Sequence, residues 1–499
     1  MLFNSYQFLI FLPMVLSVYY VIPVKVKYLW LLLCSYYFYM CWNAKYALLM
    51  LFSTVVTYIC SLLLEYVKHT GWDADKKTAY KKMALALSFA LNLLVLGYFK
   101  YTNFAVNVLE NILNVFHITL HIPTFDIILP VGISFYTFQA LGYTMDVYRD
   151  EIYAEKNFFR YALFVSFFPQ LVAGPIERSK NLLKQLAVHK PFSFEQAKSG
   201  VFLMLWGYFL KVVLADRIAM IVDVVYGDYA SYDGLILMIA TVLFAFQIYC
   251  DFYGYSVIAV GCAKILGIHL MENFKAPYLS FSVAEFWRNW HISLTSWFKD
   301  YLYIPLGGSR KGKIRKYVNK LIVFLVSGLW HGAGLSFVAW GFLNGVYQII
   351  EEILKPAGDR LKRSLRIREN NSLYKLMKLM LTFVLVDFSW IFFRADSLTT
   401  AVKIVGEICS VNSTCLRNLL SNLNGIGLHQ TGMTVIVLCL LILLFADICK
   451  KNHISVCDKI MAFPWWLQSV LFVLFVCAIL VFGIWGPEYN QANFIYFQF

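Results

Sequence analysis

Apolar residues run in long blocks along this chain, and charged residues are confined to the seams between them. No Asp, Glu, Lys or Arg occurs in Met1–Val24, Tyr28–Ala44, Tyr46–Leu64, Met83–Phe99, Ile127–Met145, Gly234–Cys250, Leu321–Ile350, Leu428–Ala446 or Ile460–Pro487. A helix that crosses a bilayer needs roughly 17–25 mostly apolar residues. Shorter or interrupted runs follow at Tyr161–Ile176, Ser199–Leu210, Phe252–Ala263 and Leu379–Phe393. The pattern predicts an all-α, polytopic transmembrane protein with about 11–13 membrane segments, some of them re-entrant. The first run has no Lys or Arg ahead of it and no small-residue cleavage site, so it reads as a retained helix and not as a signal peptide.

One block does not fit a single crossing. Leu321–Ile350 is uncharged and lies between two basic clusters. As one helix it would be about 45 Å long against a hydrocarbon core of about 30 Å. Gly328, Gly332, Gly334, Gly341 and Gly345 interrupt it. A tight helical pair or a re-entrant element would return the chain to its starting side. Irregular backbone at membrane depth is tolerated where it is buried or lines a cavity, so a functional site is expected here.

Composition agrees with a bilayer as solvent: 60% of residues are hydrophobic, 14% are charged and the mean hydropathy is +0.64. Soluble domains carry about a quarter charged residues. A net charge of +14 would suggest nucleic acid in a soluble protein. Here it falls into the clusters Lys76–Lys82, Arg310–Lys320, Lys355–Lys378 and Lys450–Lys459, which the positive-inside rule places in the cytoplasm. The expected surroundings are membrane lipids, with no nucleic-acid partner. The same rule turns residues of about 395–427 into an outward loop and puts the C-terminal segment outside. Cys409 and Cys415 fall in that loop, and either a disulfide or two unrelated thiols would suit it. The eleven cysteines show no CxxC or Cys/His metal spacing, so no metal site is expected. No soluble domain and no internal repeat stand out, so residues 1–499 read as one transmembrane domain.

His331, in Gly328-Leu-Trp-His-Gly-Ala-Gly334, is the one side chain among Leu321–Ile350 that ordinarily titrates near neutral pH. A neutral imidazole accepts a proton near pH 7, the task of a general base for an alcohol nucleophile. The competing reading is a histidine packed beside Trp330. A second constellation runs from Glu285 to Gly308 and contains Trp287, Trp290, His291, Trp297, Arg288, Lys299 and Asp300. As one helix, Trp287, Trp290, His291, Leu294 and Trp297–Phe298 would share a face. An amphipathic helix on the membrane surface is the plainer reading, with His291 an anchor. Asp251 closes an uncharged run, and an intramembrane carboxylate needs a partner. Arg288 and Lys264 are the candidates. Asp146 invites the same question. Pro169 and Gly174–Pro175 read as kinks or helix ends. His69, His117, His121, His189, His269, His429 and His453 lack a partner at informative spacing and read as loop or interface residues.

Several motifs carry a resemblance. They are Asp251-Phe-Tyr-Gly-Tyr-Ser, Glu272-Asn-Phe, Phe286-Trp-Arg-Asn-Trp-His-Ile-Ser-Leu, Trp297-Phe-Lys-Asp-Tyr-Leu-Tyr-Ile-Pro-Leu-Gly-Gly and Leu329-Trp-His-Gly-Ala. Upstream stand Leu2-Phe-Asn-Ser-Tyr-Gln-Phe-Leu, Leu129-Pro-Val-Gly-Ile-Ser-Phe-Tyr-Thr-Phe and Phe168-Pro-Gln-Leu-Val-Ala-Gly-Pro-Ile. Together, and most densely over 251–345, the chain resembles the membrane-bound O-acyltransferases (MBOATs). The nearest branch is that of bacterial alginate O-acetyltransferases and their peptidoglycan and cellulose relatives, with teichoic acid D-alanyl transferases more distant. Asn289 stands where relatives carry a second Arg, and Val257 where many carry Asp.

The resemblance implies a helical fold with a central tunnel in a bacterial cytoplasmic membrane. It implies acetyl-CoA as donor substrate, with no bound cofactor. His331 would be the catalytic base, and His291 would assist or position the donor. Trp330, Asp251, Trp287, Arg288, Trp290 and Asp300 would support the site. An extracytoplasmic acetyltransferase of SGNH type would be the partner, and a polysaccharide the acceptor. The aromatic segment 488–499, ending Asn493-Phe-Ile-Tyr-Phe-Gln-Phe499, resembles a motif whose tyrosine carries the acyl group, which singles out Tyr496. A phenol of pKa about 10 is a better leaving group than a sugar hydroxyl. An aromatic interfacial anchor fits the same residues. The rivals are a transporter or flippase for a glycan or lipid precursor, which predicts two symmetric halves, and a scaffold without catalysis.

Overall fold

The computed structural model describes residues 1–118, 125–172, 174–188, 190–368, 370–412, 415, 423, 430–485, 494 and 495. Tyr496, His121, His189 and His429 lie outside the described residues, as do part of the outward loop and most of segment 488–499. Among the described residues the regular structure is helical and no strand occurs. Two compact units are formed, 1–204 with 258–271, and 205–257 with 272–499.

The first unit contains α1 (Tyr6–Val21), α2 (Lys27–Met40), α3 (Ala47–His69), α4 (Ala74–Val115), α5 (Ile133–Tyr148), α6 (Phe158–Ser166), α7 (Phe168–Leu171) and α8 (Ser179–Ala187). Pro169 falls in the first turn of α7, where its missing N–H costs nothing. The polarity of this unit is inverted relative to a soluble protein. Ser53, Thr54, Thr57 and Ser61 of α3 are buried, while Leu48, Phe52, Ile59 and Leu63 are exposed. Lipid is as apolar as leucine, so apolar burial does not drive helix association there; close packing and interhelical hydrogen bonds do. Ser53 donates to Asn92 Oδ1 of α4 at 2.5 Å. The Tyr161 hydroxyl of α6 donates to Thr57 at 2.7 Å. Asp146 of α5 accepts from Ser179 at 2.5 Å, which gives that carboxylate a structural tie.

α9 (Phe194–Tyr208) continues as a π-helical turn, Phe209–Ala215, into α10 (Asp216–Gly227), followed by α11 (Gly234–Ile265). The second unit then adds α12 (Val283–Asn289), α13 (Ile292–Phe298), α14 (Lys313–His331), α15 (Leu335–Ser364), α16 (Ser372–Arg394), α17 (Leu398–Cys409), α18 (Gln430–Lys451), α19 (Val456–Met461) and α20 (Trp465–Phe482). Among the described residues six helices are long and apolar enough to cross a membrane: 44–69, α4, α11, α16, 432–451 and α20. Fewer helices pass this test than the apolar runs suggested, because several runs fold into short helices such as α2, α5 and α6.

Leu321–Ile350 folds as a tight helical pair. α14 ends at His331, a turn of 332–334 reverses the chain, and α15 begins at Leu335. A Cβ on Gly328 would collide with the Phe337 carbonyl, and one on Gly341 with that of Phe324. Glycine at both places lets the two backbones touch, the small-residue device of membrane helix pairs. Lys316 and Lys320 of α14 both reach Glu352 of α15, at 2.5 and 2.6 Å, and close the pair at its basic end. Cys409 and Cys415 are both free thiols.

Candidate functional site

His291 and His331 meet inside the second unit. Their ring centroids are 6.2 Å apart, and both side chains are buried. They arrive by different routes. His331 is the last residue of α14, and the next amide, Gly332 N–H, donates back to Gly328 at 3.2 Å. His331 therefore sits at the carbonyl end of a helix, which favours a positive charge on an imidazole placed there.

His291 sits at a break. The Glu285–Gly308 segment is not one helix: α12 ends at Asn289 and α13 starts at Ile292. His291 between them has φ +43°, in the left-handed region. Such a conformation is uncommon without glycine and persists where the surroundings fix it. Asn273 does so from outside the helices. Its carbonyl accepts from Ile292 N–H at 2.9 Å and its side chain from Ser293 N–H at 3.3 Å. This gives Glu272-Asn-Phe a structural purpose. The segment is also not a surface helix, since Trp287, Trp290 and Trp297 are buried within the protein.

Aromatic rings box in the two imidazoles. Phe252 of α11 stands edge-on to His291 at 4.6 Å. Trp330, Trp340 and Phe393 surround His331 at 4.9, 5.2 and 5.4 Å. Trp340 stacks on Trp390 at 5.8 Å, and Trp290 packs on Trp390 at 5.2 Å. Such ring pairs contribute roughly 0.5–1.5 kcal/mol each beyond their buried area. Trp287 Nε1 donates to Asn344 Oδ1 of α15 at 3.1 Å, and Asn344 Nδ2 donates to the Trp340 carbonyl at 2.9 Å. The α12 helix that leads into His291 is thus fastened to the pair carrying His331.

The remaining predicted residues separate. Trp330, Trp287 and Trp290 line or brace the histidine site. Arg288 is exposed on α12 and Asp300 is half-buried on a π-helical turn, Lys299–Tyr303. Asp251 is buried, and neither Arg288 nor Lys264 is its ion partner. Lys264 instead donates to Ser199 at 2.6 Å. Lys211 Nζ lies 2.6 Å from Asp251 Oδ1 and 2.8 Å from Asp216 Oδ1. Sequence reasoning missed Lys211 and Asp216, although they stand five apart where an apolar stretch ends. That is the repeat of a π-helix, not of an α-helix, and Lys211 lies on the π turn.

A further buried carboxylate, Asp447 of α18, was also not singled out from the sequence. It accepts from the Tyr249 hydroxyl at 2.9 Å, and Tyr249 stacks on Tyr253 at 5.3 Å. Lys450 donates to Tyr253 at 3.2 Å and pairs with Glu272 at 3.3 Å.

Buried paired histidines in an apolar, aromatic enclosure suit proton transfer to or from a hydroxyl and retain a reactive acyl group away from water. Comparison with known proteins agrees in kind. Residues 38–364 match the model of "MBOAT, membrane-bound O-acyltransferase family". The chain is 34% identical to "Probable alginate O-acetylase AlgI" of Pseudomonas putida, over 100% of both chains. It is 30% identical to "Peptidoglycan O-acetyltransferase" of Helicobacter pylori, over 100% of this chain and 98% of the relative. It is 28% identical to "Teichoic acid D-alanyltransferase" of Streptococcus thermophilus over 53% of this chain and 68% of the relative.

Proposed function

Since this chain belongs to the membrane-bound O-acyltransferase family, we propose that it is a multi-pass membrane O-acetyltransferase which moves acetyl groups across a bacterial cytoplasmic membrane to an extracytoplasmic polysaccharide. The observation that carries this reading is the convergence of His291 and His331 from separate helices within one buried aromatic enclosure.

The donor is a thioester reached from the cytoplasm, most simply acetyl-CoA, and a tunnel joins it to the outer side. His331 takes the proton of an attacking hydroxyl as its oxygen bonds to the acetyl carbonyl carbon. The carbon–sulfur bond breaks, and the thiolate leaves with the proton. His291 orients the donor. General base assistance of this kind contributes about 10²–10⁴-fold. The hydroxyl belongs to Tyr496, to a partner protein or to the glycan. An acetyl-tyrosine would pass its acetyl to the next hydroxyl and regain its phenol proton. Acetyl thus crosses the membrane as an ester. An extracytoplasmic partner completes delivery, as the resemblance to alginate and peptidoglycan O-acetyltransferases suggests. Purified chain that acetylates intact polymer unaided would exclude that partner.

The test is alkali-labile acetate on surface glycan fractions, from cells with the unsubstituted chain and with His331→Ala at equal abundance. Loss of acetate from one fraction names the acceptor. Unchanged acetate in every fraction refutes the reading and favours a transporter.

A further inference from the structure

Charges at membrane depth are expensive, and a trio with a net negative charge is harder to accommodate than a neutral pair. Lys211, Asp216 and Asp251 are only 1%, 5% and 3% exposed. The Lys211–Asp216 pair alone would compensate the lysine. Asp251 has a further partner: its Oδ2 accepts the backbone N–H of Ile495 at 2.8 Å, across 244 residues of chain. Phe494 and Ile495 are fully buried there. The Phe494 ring packs 4.3 Å from that of Tyr255, one turn along α11 from Asp251. Lys211 Nζ also stands 5.9 Å from the centre of the Phe494 ring.

The same element grips the chain where α20 ends. Ile484 N–H donates to the Val212 carbonyl at 3.0 Å, and Arg217 donates to the Phe482 carbonyl at 2.6 Å. A buried backbone N–H without a helical partner needs another acceptor. A carboxylate accepts more strongly than a carbonyl.

We propose that Lys211, Asp216 and Asp251 form a clamp which holds Phe494 and Ile495 within the second unit. Asp216 fixes Lys211, Lys211 presents Asp251, and Asp251 holds Ile495 and thereby sets where the following residue, Tyr496, begins. The three are positioning residues. The proposal rests on the acetyl-transfer reading with Tyr496 as the accepting hydroxyl, and adds the buried ion trio that steers it.

Two substitutions remove the same bond from opposite sides. Ile495→Pro deletes the N–H and leaves the trio intact. Asp251→Ala deletes the acceptor and leaves Lys211 paired with Asp216, so no lone buried charge results. Each is expected to lower acetate on the surface polymer by about 10–100-fold, the worth of a hydrogen bond to a charged group. The double variant should be no worse than the poorer single one. Ile495→Ala, which keeps the N–H, should transfer nearly normally, and Asp251→Asn, which keeps an acceptor oxygen, should fall between. The position of the segment is read separately by a photo-crosslinking p-benzoylphenylalanine at 494 in the full chain in membranes. Adducts with the Tyr255 peptide should form in the reference and in His331→Ala, and decline with Asp251→Ala. Multiplying losses in the double variant, or adducts indifferent to Asp251→Ala, would overturn the clamp. Adducts that depend on Asp251 in a chain that transfers no acetate would leave the clamp standing and sink the acetyl-transfer reading.

Discussion

At φ +43°, His291 is asked to do two things: adopt a backbone shape that side chains resist, and present an imidazole. Substitution separates them. His291→Gly relieves the backbone, whereas His291→Ala retains the strain and loses the ring. The glycine variant should therefore melt higher in detergent than the alanine variant, by about 1 kcal/mol, while acetyl transfer falls in both. Equal melting would mean that the break at 291 is not strained. His331→Gln keeps a polar group of similar reach but cannot carry the proton, so the rate of acetate incorporation should fall roughly 10²–10⁴-fold with abundance unchanged. His331 was legible in the sequence because no other side chain in its 30-residue block ordinarily titrates near neutral pH. The contacts of His291 were not, since Asn273, Phe252 and Trp330 lie on separate elements. The partner of Asp251 was hidden for the same reason: Lys211 lies 40 positions upstream, on a π turn.

At the level of elements, the α14–α15 pair was expected as one of two possibilities, and its glycines explain which occurs. A methyl group on Gly328 or Gly341 meets a facing carbonyl, so Gly328→Ala or Gly341→Ala should force the helices apart, move His331 and reduce both melting temperature and transfer. Gly358, in the same helix as Gly341, has no neighbour within 4 Å. Gly358→Ala should be neutral or stabilising by about 0.5–1 kcal/mol, measured in the same melting assay. The Glu285–Gly308 segment was misread as one continuous face. Helical periodicity cannot register a single left-handed residue, and that residue redirects everything after Trp290.

For the whole molecule, the abundance of helix and its membrane setting were plain from uncharged blocks alone. Which blocks cross was less plain, because burial among neighbours and exposure to lipid both favour apolar residues. Buried Ser53, Thr57 and Asn92 beside exposed Leu48 and Ile59 distinguish them only once the fold is known. Sidedness is testable at exposed positions of the second unit. Single cysteines replacing Lys313, Arg363 or Lys459, in a background without other reactive thiols, should resist an impermeant maleimide in intact cells and react after permeabilisation. Cys409, also exposed, should react from outside without it. Labelling of the basic positions in intact cells would reverse the assigned orientation.

The hairpin of α14 and α15 also bears on biogenesis. Neither helix is among those apolar and long enough to cross alone. Each begins or ends in lysines and arginines, which a translocon partitions poorly into lipid. The pair is therefore poorly suited to enter the membrane by itself, and depends on helices already in place to receive it. On the proposed reading, the nascent chain therefore completes its His291–His331 centre at assembly and holds no half-built one during synthesis.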